Sequence, residues 1–213
     1  FPLKRSLGQW LRGQRTWMRA VDGVSFQIKK GEIFGLIGES GCGKTTTGKL
    51  IMKLIEPTGG QIFFRGEDVT HLSPEALKAY KREVQMIFQD PYASMNPRFR
   101  LHQVLAEPLT IHRIGANEQE KRALAAEALT KVKLTPASDF LDRFSHMLSG
   151  GQRQRAATAR TLILSPSFIV ADEPVSMVDL STRAELLQMM KDIQEELGLT
   201  YLYITHDLST ARY

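Results

Sequence analysis

This sequence contains little that would mark a disulfide-bonded, membrane-spanning or metal-cluster protein. Cys42 is its one cysteine in 213 residues, which excludes an intramolecular disulfide and a cysteine-ligated zinc cluster and fits a reducing compartment. No apolar run approaches the roughly 18 residues of a membrane span, and basic residues interrupt the apolar start, so no cleavable signal is predicted. Internal repeats and low-complexity linkers are also lacking. With 42% apolar and 24% charged residues, the composition is ordinary for a globular chain with a full core.

Positive charge exceeds negative charge, but the excess does not identify a polyanion-binding protein. The formal net charge is +5. No acid lies among the basic residues of the first twenty positions, which are Lys4, Arg5, Arg12, Arg15 and Arg19. We interpret this segment as a solvated arm, with a nucleic-acid patch or a position beside a membrane as alternatives. No nucleic-acid partner is expected.

Strand-like and helix-like patterns alternate on both sides of a long helical stretch. Strands are predicted at Val24–Lys29, Glu32–Ile37, Gln61–Phe64, Val84–Phe88, Phe168–Ala171 and Tyr201–Thr205. Helices are predicted at Thr45–Ile55, from Ser73-Pro74 onward, from a cap at Asn117, and at Ser181–Leu197. From Asp90 to about Leu164 only helices and loops are expected. This order predicts a mainly parallel sheet with crossover helices and a helical insert.

A glycine-rich loop between a predicted strand and a predicted helix carries the strongest chemical signal. Its residues are Gly38, Glu39, Ser40, Gly41, Cys42, Gly43, Lys44, Thr45 and Thr46. Backbone N–H groups of such a loop converge on phosphates, and glycines allow the close approach. Lys44 is expected to neutralise the β- and γ-phosphates, and the Thr45 hydroxyl to ligate Mg²⁺. A structural glycine turn is the alternative, which the strand–loop–helix context disfavours.

Polar side chains follow the predicted strands at the edge where this loop should lie. Asp172 is expected to hold Mg²⁺ through its water shell, and Glu173 to polarise a water for attack on the γ-phosphate. An exposed acidic turn is the alternative for this pair. His206 is predicted to contact the γ-phosphate, in preference to a structural histidine. Gln89 is predicted to orient water or ligate the metal through its amide oxygen, in preference to a simple loop residue.

A second glycine-rich site lies about a hundred residues after the first, in the segment MLSGGQRQRAATAR, Met147–Arg160. Ser149, Gly150 and Gly151 precede a run of good helix formers, a pattern typical of a helix N-terminus that holds an anion. Arg153 and Arg155 are interpreted as support for the helical region rather than as phosphate ligands. The residues alone therefore predict a second anion site.

In order and approximate spacing, these motifs resemble the ATP-binding-cassette (ABC) ATPases. The corresponding segments are Gly38–Thr45 for the Walker A loop, Gln89 for the Q-loop, Leu148–Gln152 for the signature, Asp172-Glu173 for Walker B, Asp179 for the D-loop and His206 for the switch histidine. The resemblance runs from about Ala20 to the end. Residues 20–32 and 88–98 resemble more narrowly the ATPases of oligopeptide, dipeptide and nickel importers.

This resemblance implies an α/β fold with a P-loop (RecA-like) core, an N-terminal antiparallel β portion and an inserted α-helical subdomain. Residues 1–213 would form one ABC ATPase domain, with 20–89 and 165–213 as its nucleotide-binding core and 90–164 as the helical subdomain that carries the signature. It also implies that the chain starts after the family's first strand and stops before its last strands, so we expect a shortened cassette.

The family binds ATP and Mg²⁺ between two head-to-tail subunits, each of which presents its signature to the nucleotide of the other. The signature residues would be Ser149, Gly150, Gly151 and Gln152. Asp179 would lie at the same seam, although Met177 and Val178 stand where the family commonly has small residues. Trp17 is the nearest candidate for stacking on adenine, and a packing role is its alternative.

The implied function is ATP hydrolysis that powers an importer, with oligopeptides or dipeptides as cargo, at the cytoplasmic face of the membrane. The implied partners are a second ABC ATPase subunit, transmembrane permease subunits and, indirectly, a substrate-binding protein. The region that follows Gln89 would receive a coupling helix from the permease. The alternative is a non-transport ABC ATPase, of a carbon–phosphorus-lyase accessory or DNA-maintenance type. A P-loop kinase is disfavoured by the signature and by Glu173.

Overall fold

A computed structural model of the protein describes residues 18–91 and 95–210. Its strands are β1 (Ile33–Ile37), β2 (Phe63–Phe64), β3 (Glu67–Asp68), β4 (Val84–Ile87), β5 (Phe168–Asp172) and β6 (Thr200–Thr205). Its helices are α1 (Lys44–Ile51), α2 (Pro74–Glu83), α3 (Leu101–Ile111), α4 (Glu118–Lys131), α5 (Ser138–Leu141), α6 (Gly150–Leu162) and α7 (Leu180–Leu197), and Ser145–Met147 forms a 3₁₀ turn. None of these helices is both long enough and apolar enough to cross a membrane.

A four-stranded sheet in the order β1-β6-β5-β4 organises the molecule, and every pairing in it is parallel. The central strands β5 and β6 are buried almost throughout, which explains why their sequences are nearly continuous apolar runs. The register aligns Ile37 with Thr205 and Asp172 with Ile204. The carboxyl ends of these strands therefore meet at one edge, as the sequence predicted for a mainly parallel sheet.

Alternate residues of the strands enter two hydrophobic clusters on opposite faces of the sheet. Ile169 and Tyr201 belong to the cluster that contains most of the buried residues of α3, α4, α6 and α7. Val170 and Leu202, one position further along, belong to the cluster on the side of α1 and α2. A strand's period of two thus gives the sheet two buried faces and requires helices on both of them.

The helices begin where their capping residues predict. The Ser73 hydroxyl accepts a hydrogen bond from the Ala76 N–H at 3.2 Å at the start of α2, and the Asn117 side chain accepts one from the Glu120 N–H at 2.9 Å at the start of α4. Each bond satisfies an N–H group that the helix itself leaves unpaired. Between β4 and β5 the described residues form only helices, turns and an isolated bridge, as expected.

Two sequence predictions about the first quarter of the chain were wrong in detail. Val24–Lys29 alternates like a strand but is largely exposed and pairs with no strand of the described part, because alternation cannot supply a neighbouring strand edge. Its one aromatic, Phe26, instead stacks on Phe34 of β1 with the ring centroids 5.2 Å apart. The helix predicted to end at Ile55 ends at Ile51, since Lys53 adopts a left-handed φ of 53°.

Candidate active site

The glycine-rich loop joins β1 to α1, as predicted, and its conformation depends on Gly43 and Lys44. Gly43 has a φ of 102°, and a Cβ on it would lie 2.2 Å from the carbonyl oxygen of Ala20, so no other residue fits. The Lys44 side chain folds back over the loop, where its Nζ donates hydrogen bonds to the carbonyls of Gly38 and Glu39, both at 2.7 Å. The ammonium therefore sits within the loop that was predicted to hold phosphates.

Thr45 and Asp172 meet at the end of β5. The Thr45 hydroxyl donates to Asp172 Oδ1 at 3.1 Å, and Asp172 is only 3% exposed. Burial raises the pKa of Asp172, the hydrogen bond from Thr45 lowers it, and the neighbouring Glu173 raises it again. A hydroxyl and a buried carboxylate are the hard oxygen donors that Mg²⁺ prefers. These two residues therefore fit the predicted magnesium position, and the group they would hold is Mg²⁺ bound to nucleotide phosphates.

Glu173 lies between the two other polar residues predicted for this edge. Its Oε2 accepts a hydrogen bond from Gln89 Nε2 at 2.9 Å, and its Oε1 lies 2.8 Å from His206 Nδ1. The backbone of Glu173 has a left-handed φ of 47°, while its N–H remains bonded to the Ile204 carbonyl at 2.9 Å. The three side chains thus converge, and the carboxylate is fixed by a partner on each oxygen. In this arrangement Gln89 contacts Glu173 rather than Asp172 or Thr45, so its role as a metal ligand stays a prediction.

The second glycine-rich motif caps α6 at the surface. The Ser149 hydroxyl accepts from the Gln152 N–H at 3.3 Å, and the Gln152 side-chain oxygen accepts from the Ser149 N–H at 3.1 Å. This reciprocal pair is a capping box. Ser149 and Gly150 are exposed, and no hydrogen bond or ion pair of the described residues links the motif to the loop at Gly38–Thr46. Within one chain the two predicted anion sites are therefore separate.

Asp179 and the second glycine motif pack against each other through Thr182. Asp179 is the N-cap residue of α7. It accepts hydrogen bonds from the hydroxyls of Ser181, at 3.2 Å, and Thr182, at 2.6 Å, and the Thr182 bond holds the pKa of Asp179 below its usual value. A Cβ on Gly151 would lie 2.5 Å from Thr182 Cγ2. Thr182 was not predicted from the sequence, because its contacts with Asp179 and Gly151 depend on how separate segments pack.

Arg153 and Arg155 contact the helical region rather than the glycine-rich loop. Arg153 is buried and donates to the carbonyls of Ser145 and Leu148 at 2.9 and 2.8 Å. Arg155 donates to the Val132 carbonyl at 3.2 Å and, at 3.1 Å, to Glu185. Both arginines therefore support the helical region, as interpreted from the sequence. Trp17, the predicted adenine-stacking residue, lies outside the described residues.

A protein-family profile and two curated relatives both relate this chain to ATP-binding proteins of transporters. The sequence profile described as "ABC transporter" matches residues 21–176. The chain is 47% identical, over 94% of its own length and 60% of the relative's, to the putative oligopeptide transport ATP-binding protein YkfD of Bacillus subtilis (strain 168). It is also 47% identical, over 100% of its own length and 63% of the relative's, to the oligopeptide transport ATP-binding protein AppF of the same strain. The chain thus spans less than two thirds of the length of these relatives.

Solved structures give the same fold. The dimeric post-hydrolysis state of the ATP-binding cassette MJ0796 bound to ADP and Pi matches with a TM-score of 0.82 and 30% identity, over 99% of this chain and 87% of that one. A second dimeric structure of MJ0796, described as a bacterial ABC transporter cassette, matches with a TM-score of 0.80 and 32% identity, over 91% of this chain and 82% of that one. The parallel sheet and its flanking helices are therefore a P-loop NTPase fold, with an antiparallel portion reduced to the β2–β3 hairpin among the described residues.

Replacing Asp172 with asparagine is expected to stabilise the nucleotide-free chain. Folding raises the pKa of Asp172, chiefly because the side chain is buried. The protonated side chain therefore makes its full contribution to the free energy of unfolding below the usual aspartate pKa, and that contribution is lost as the pH rises through the pKa of the folded state. At pH 7 the variant should gain about 1 kcal/mol in urea unfolding, and the gain should vanish below about pH 4. Asp139→Asn, at an exposed position, is the control. Equal stability of the Asp172 variant and the wild type at pH 7 would contradict the cost of burial.

A Gly151→Ala variant should be destabilised by about 1–3 kcal/mol, the usual range for overpacking. The new methyl group would collide with Thr182 Cγ2, and rotating Thr182 away would break its hydrogen bonds to Asp179. Adding Thr182→Ser removes the colliding methyl group but keeps the hydroxyl, so the double variant should recover most of the lost stability.

Gly150→Ala is the matched control, because a Cβ there would lie 3.9 Å from Met177 O and Val178 Cγ1, an ordinary van der Waals distance. Urea unfolding of the three variants and the wild type measures the effect. If Thr182→Ser fails to rescue Gly151→Ala, the contact between the two segments is not the cause of the destabilisation.

Proposed function

The chain belongs to the ABC transporter family, and from that premise we propose that it is the ATP-hydrolysing subunit of an importer for oligopeptides or dipeptides. The observation that carries this proposal is the position of the Glu173 carboxylate, between Gln89 and His206 and directly after Asp172. Such a carboxylate can activate water beside a magnesium nucleotide. The names of the relatives, oligopeptide transport ATP-binding proteins, support the class of cargo.

Glu173 is the proposed general base. A carboxylate has about four lone-pair positions. Glu173 uses one of them for Gln89 and one for His206, so it can still accept a proton from water. The water oxygen attacks the γ-phosphorus as its proton passes to Glu173, and the bond to the bridging oxygen of ADP breaks. His206 and Gln89 hold the carboxylate in one orientation, and the exposed His206 ring can also face the γ-phosphate.

Nucleotide binding is assigned to the loop at Gly38–Thr46. Lys44 would exchange its carbonyl partners for the β- and γ-phosphate oxygens, and the loop N–H groups would bind the same oxygens. Thr45 and Asp172 would hold Mg²⁺, which supplies neutralisation of phosphate charge. This chain's own contribution is to place Glu173 next to that position, because the two carboxylates are consecutive at the end of β5.

The second glycine motif is proposed to act on the nucleotide of a second ATPase subunit. Ser149 and Gly150 are exposed, and they lie at the N-terminus of α6, which is the positive end of the helix dipole. Asp179, also exposed, would lie at the same seam. The dimeric state of the neighbouring cassette MJ0796 supports this arrangement. ATP would then be bound between two subunits, and its hydrolysis would reopen the pair.

The membrane partners are proposed to dock on the helical side of the chain. Residues 90–164 would form the helical subdomain, with 20–89 and 165–213 as the nucleotide-binding core. Because Gln89 contacts Glu173 and leads directly into residues 90–100, a permease helix seated there would respond to the state of the active site. The subunit would act at the cytoplasmic face of the membrane, with the substrate-binding protein reached only through the permease.

Glu173→Gln should leave ATP binding intact and lower hydrolysis by roughly 10²–10⁴, the usual contribution of a general base. The amide keeps the shape of the side chain but cannot accept the proton. Phosphate release measures hydrolysis, and a fluorescent ATP analogue measures binding. Glu195→Gln, the same change at an exposed position of α7, is the control and should match the wild type. Turnover of the Glu173 variant within tenfold of wild type would refute the assignment.

Mixing two inactive chains should restore hydrolysis if the sites are shared between subunits. A heterodimer of Lys44→Ala and Ser149→Ala chains contains one site with an intact loop and an intact signature. The mixture should therefore hydrolyse ATP faster than the mean of the separate proteins. The control mixture, Lys44→Ala with Asp172→Asn, damages the loop side of both sites and should show no gain. If the first mixture equals the mean of its components, the shared site is wrong.

A further inference from the structure

Arg183, in the first turn of α7, contacts two loops that leave neighbouring strands. Its Nε donates to the Val178 carbonyl at 3.1 Å, and its Nη2 donates to the Ser176 carbonyl at 3.4 Å. Both acceptors belong to the loop that runs from Glu173 to Asp179. On its other side, Nη1 lies 3.9 Å from Asp207 Oδ2. One guanidinium therefore spans the loop after β5 and the loop after β6.

Hydrogen bonds within the loop after β6 tie Asp207 to its neighbours. Asp207 directly follows His206, and its carboxylate accepts hydrogen bonds from the Ser209 N–H at 2.9 Å and the Ser209 hydroxyl at 2.7 Å. The Asp207 N–H in turn donates to the Thr205 hydroxyl at 3.0 Å. A shift of His206 would therefore move the Asp207 carboxylate, which is the ionic partner of Arg183.

The other loop leads to the surface assigned to the partner subunit. It ends at Asp179, which is held by the hydroxyl of Thr182, the residue immediately before Arg183. Thr182 also lies against Gly151 at the start of α6. The first turn of α7 thus touches both segments of the proposed dimer seam, while Arg183 connects that turn to the residue after His206.

The connection between the two loops is polar and leaves room for movement. A small pocket separates them, with Ser176, Arg183, Tyr203, His206 and Asp207 among its lining residues. The side chains of Arg183 and Asp207 are 30% and 38% exposed, and half-exposed pairs of this kind contribute little to folding stability. The contact is therefore better suited to fixing the relative position of the loops than to stabilising the fold.

We propose that Arg183 is a positioning residue that couples His206 to the loop from Glu173 to Asp179. The state of the chain's own active site then sets the position of Asp179 at the surface that faces the partner subunit. The second half of this inference rests on the proposed function, because it takes Asp179 to face a partner. The coupling of the two loops within one chain does not, since the contacts that carry it lie in this chain alone.

The first experiment tests the coupling without nucleotide and therefore without reference to ATP hydrolysis. Asp207→Asn alters only the loop after β6, and hydrogen–deuterium exchange is followed in the peptide that covers residues 174–182. Exchange there should quicken by roughly threefold, because local opening becomes easier when the guanidinium loses its half-exposed charged partner. Glu185→Gln, which removes the Arg155 ion pair of the same helix, is the matched control and should leave this peptide unchanged. Unchanged exchange in Asp207→Asn would overturn the proposal.

The second experiment separates positioning from folding and from nucleotide binding. Arg183→Gln should lower kcat for ATP hydrolysis by roughly tenfold, with the Kd for ATP and the urea midpoint close to wild type. Arg183→Lys should be intermediate, because an ammonium cannot donate to both loops with the fixed geometry of a guanidinium. A parallel loss of kcat, affinity and stability, or a kcat equal to wild type, would overturn the proposal. If the wild-type chain itself fails to hydrolyse ATP, the proposed function fails and the exchange measurement still decides the coupling.

Discussion

Parallel pairing of β5 between β4 and β6 is the constraint on which the rest of the structure depends. Because the strands run in the same direction and in the observed register, Asp172, Glu173 and His206 are delivered to one edge. The glycine-rich loop reaches that edge from β1, which pairs with β6. The central strands can occupy this position only because both their faces are apolar and helices cover both faces. The chemistry of the site is thus a consequence of how the core is buried.

Burial at this edge places function and stability in opposition. Asp172 is nearly inaccessible, and its raised pKa shows that the folded chain disfavours the charged form. Glu173 adopts a left-handed φ that glycine would adopt more easily. Neither feature helps the chain to fold. Both place carboxylates beside Thr45 and His206, and such local costs are expected where a site needs fixed charges.

The sequence was sufficient to predict the parts of the molecule that follow from local pattern. β5 and β6 are long apolar runs, and Ser73 and Asn117 are typical N-cap residues. The two strands and the starts of the two helices were therefore predicted within a residue or two. The meeting of Gln89, Glu173 and His206 followed from the rule that parallel strands end together. Val24–Lys29 failed because a strand also needs a neighbouring edge, which alternation does not encode. Thr182 and Arg183 were not predicted, because their side chains act by bonding from α7 to the loop before it, and no periodic pattern in the sequence indicates such contacts.

The contacts of Lys44 would keep the proposed phosphate loop from binding a nucleotide excessively tightly. Its ammonium already donates to the carbonyls of Gly38 and Glu39, so a nucleotide must replace two good hydrogen bonds rather than meet a free charge. The net gain is the difference between an ion pair with phosphate, in which both partners are charged, and hydrogen bonds from the same ammonium to neutral carbonyls. The same carbonyl bonds hold the side chain over the loop before the nucleotide arrives, which reduces the conformational entropy lost on binding. In the proposed cycle, a loop arranged in this way would bind ATP and still release ADP.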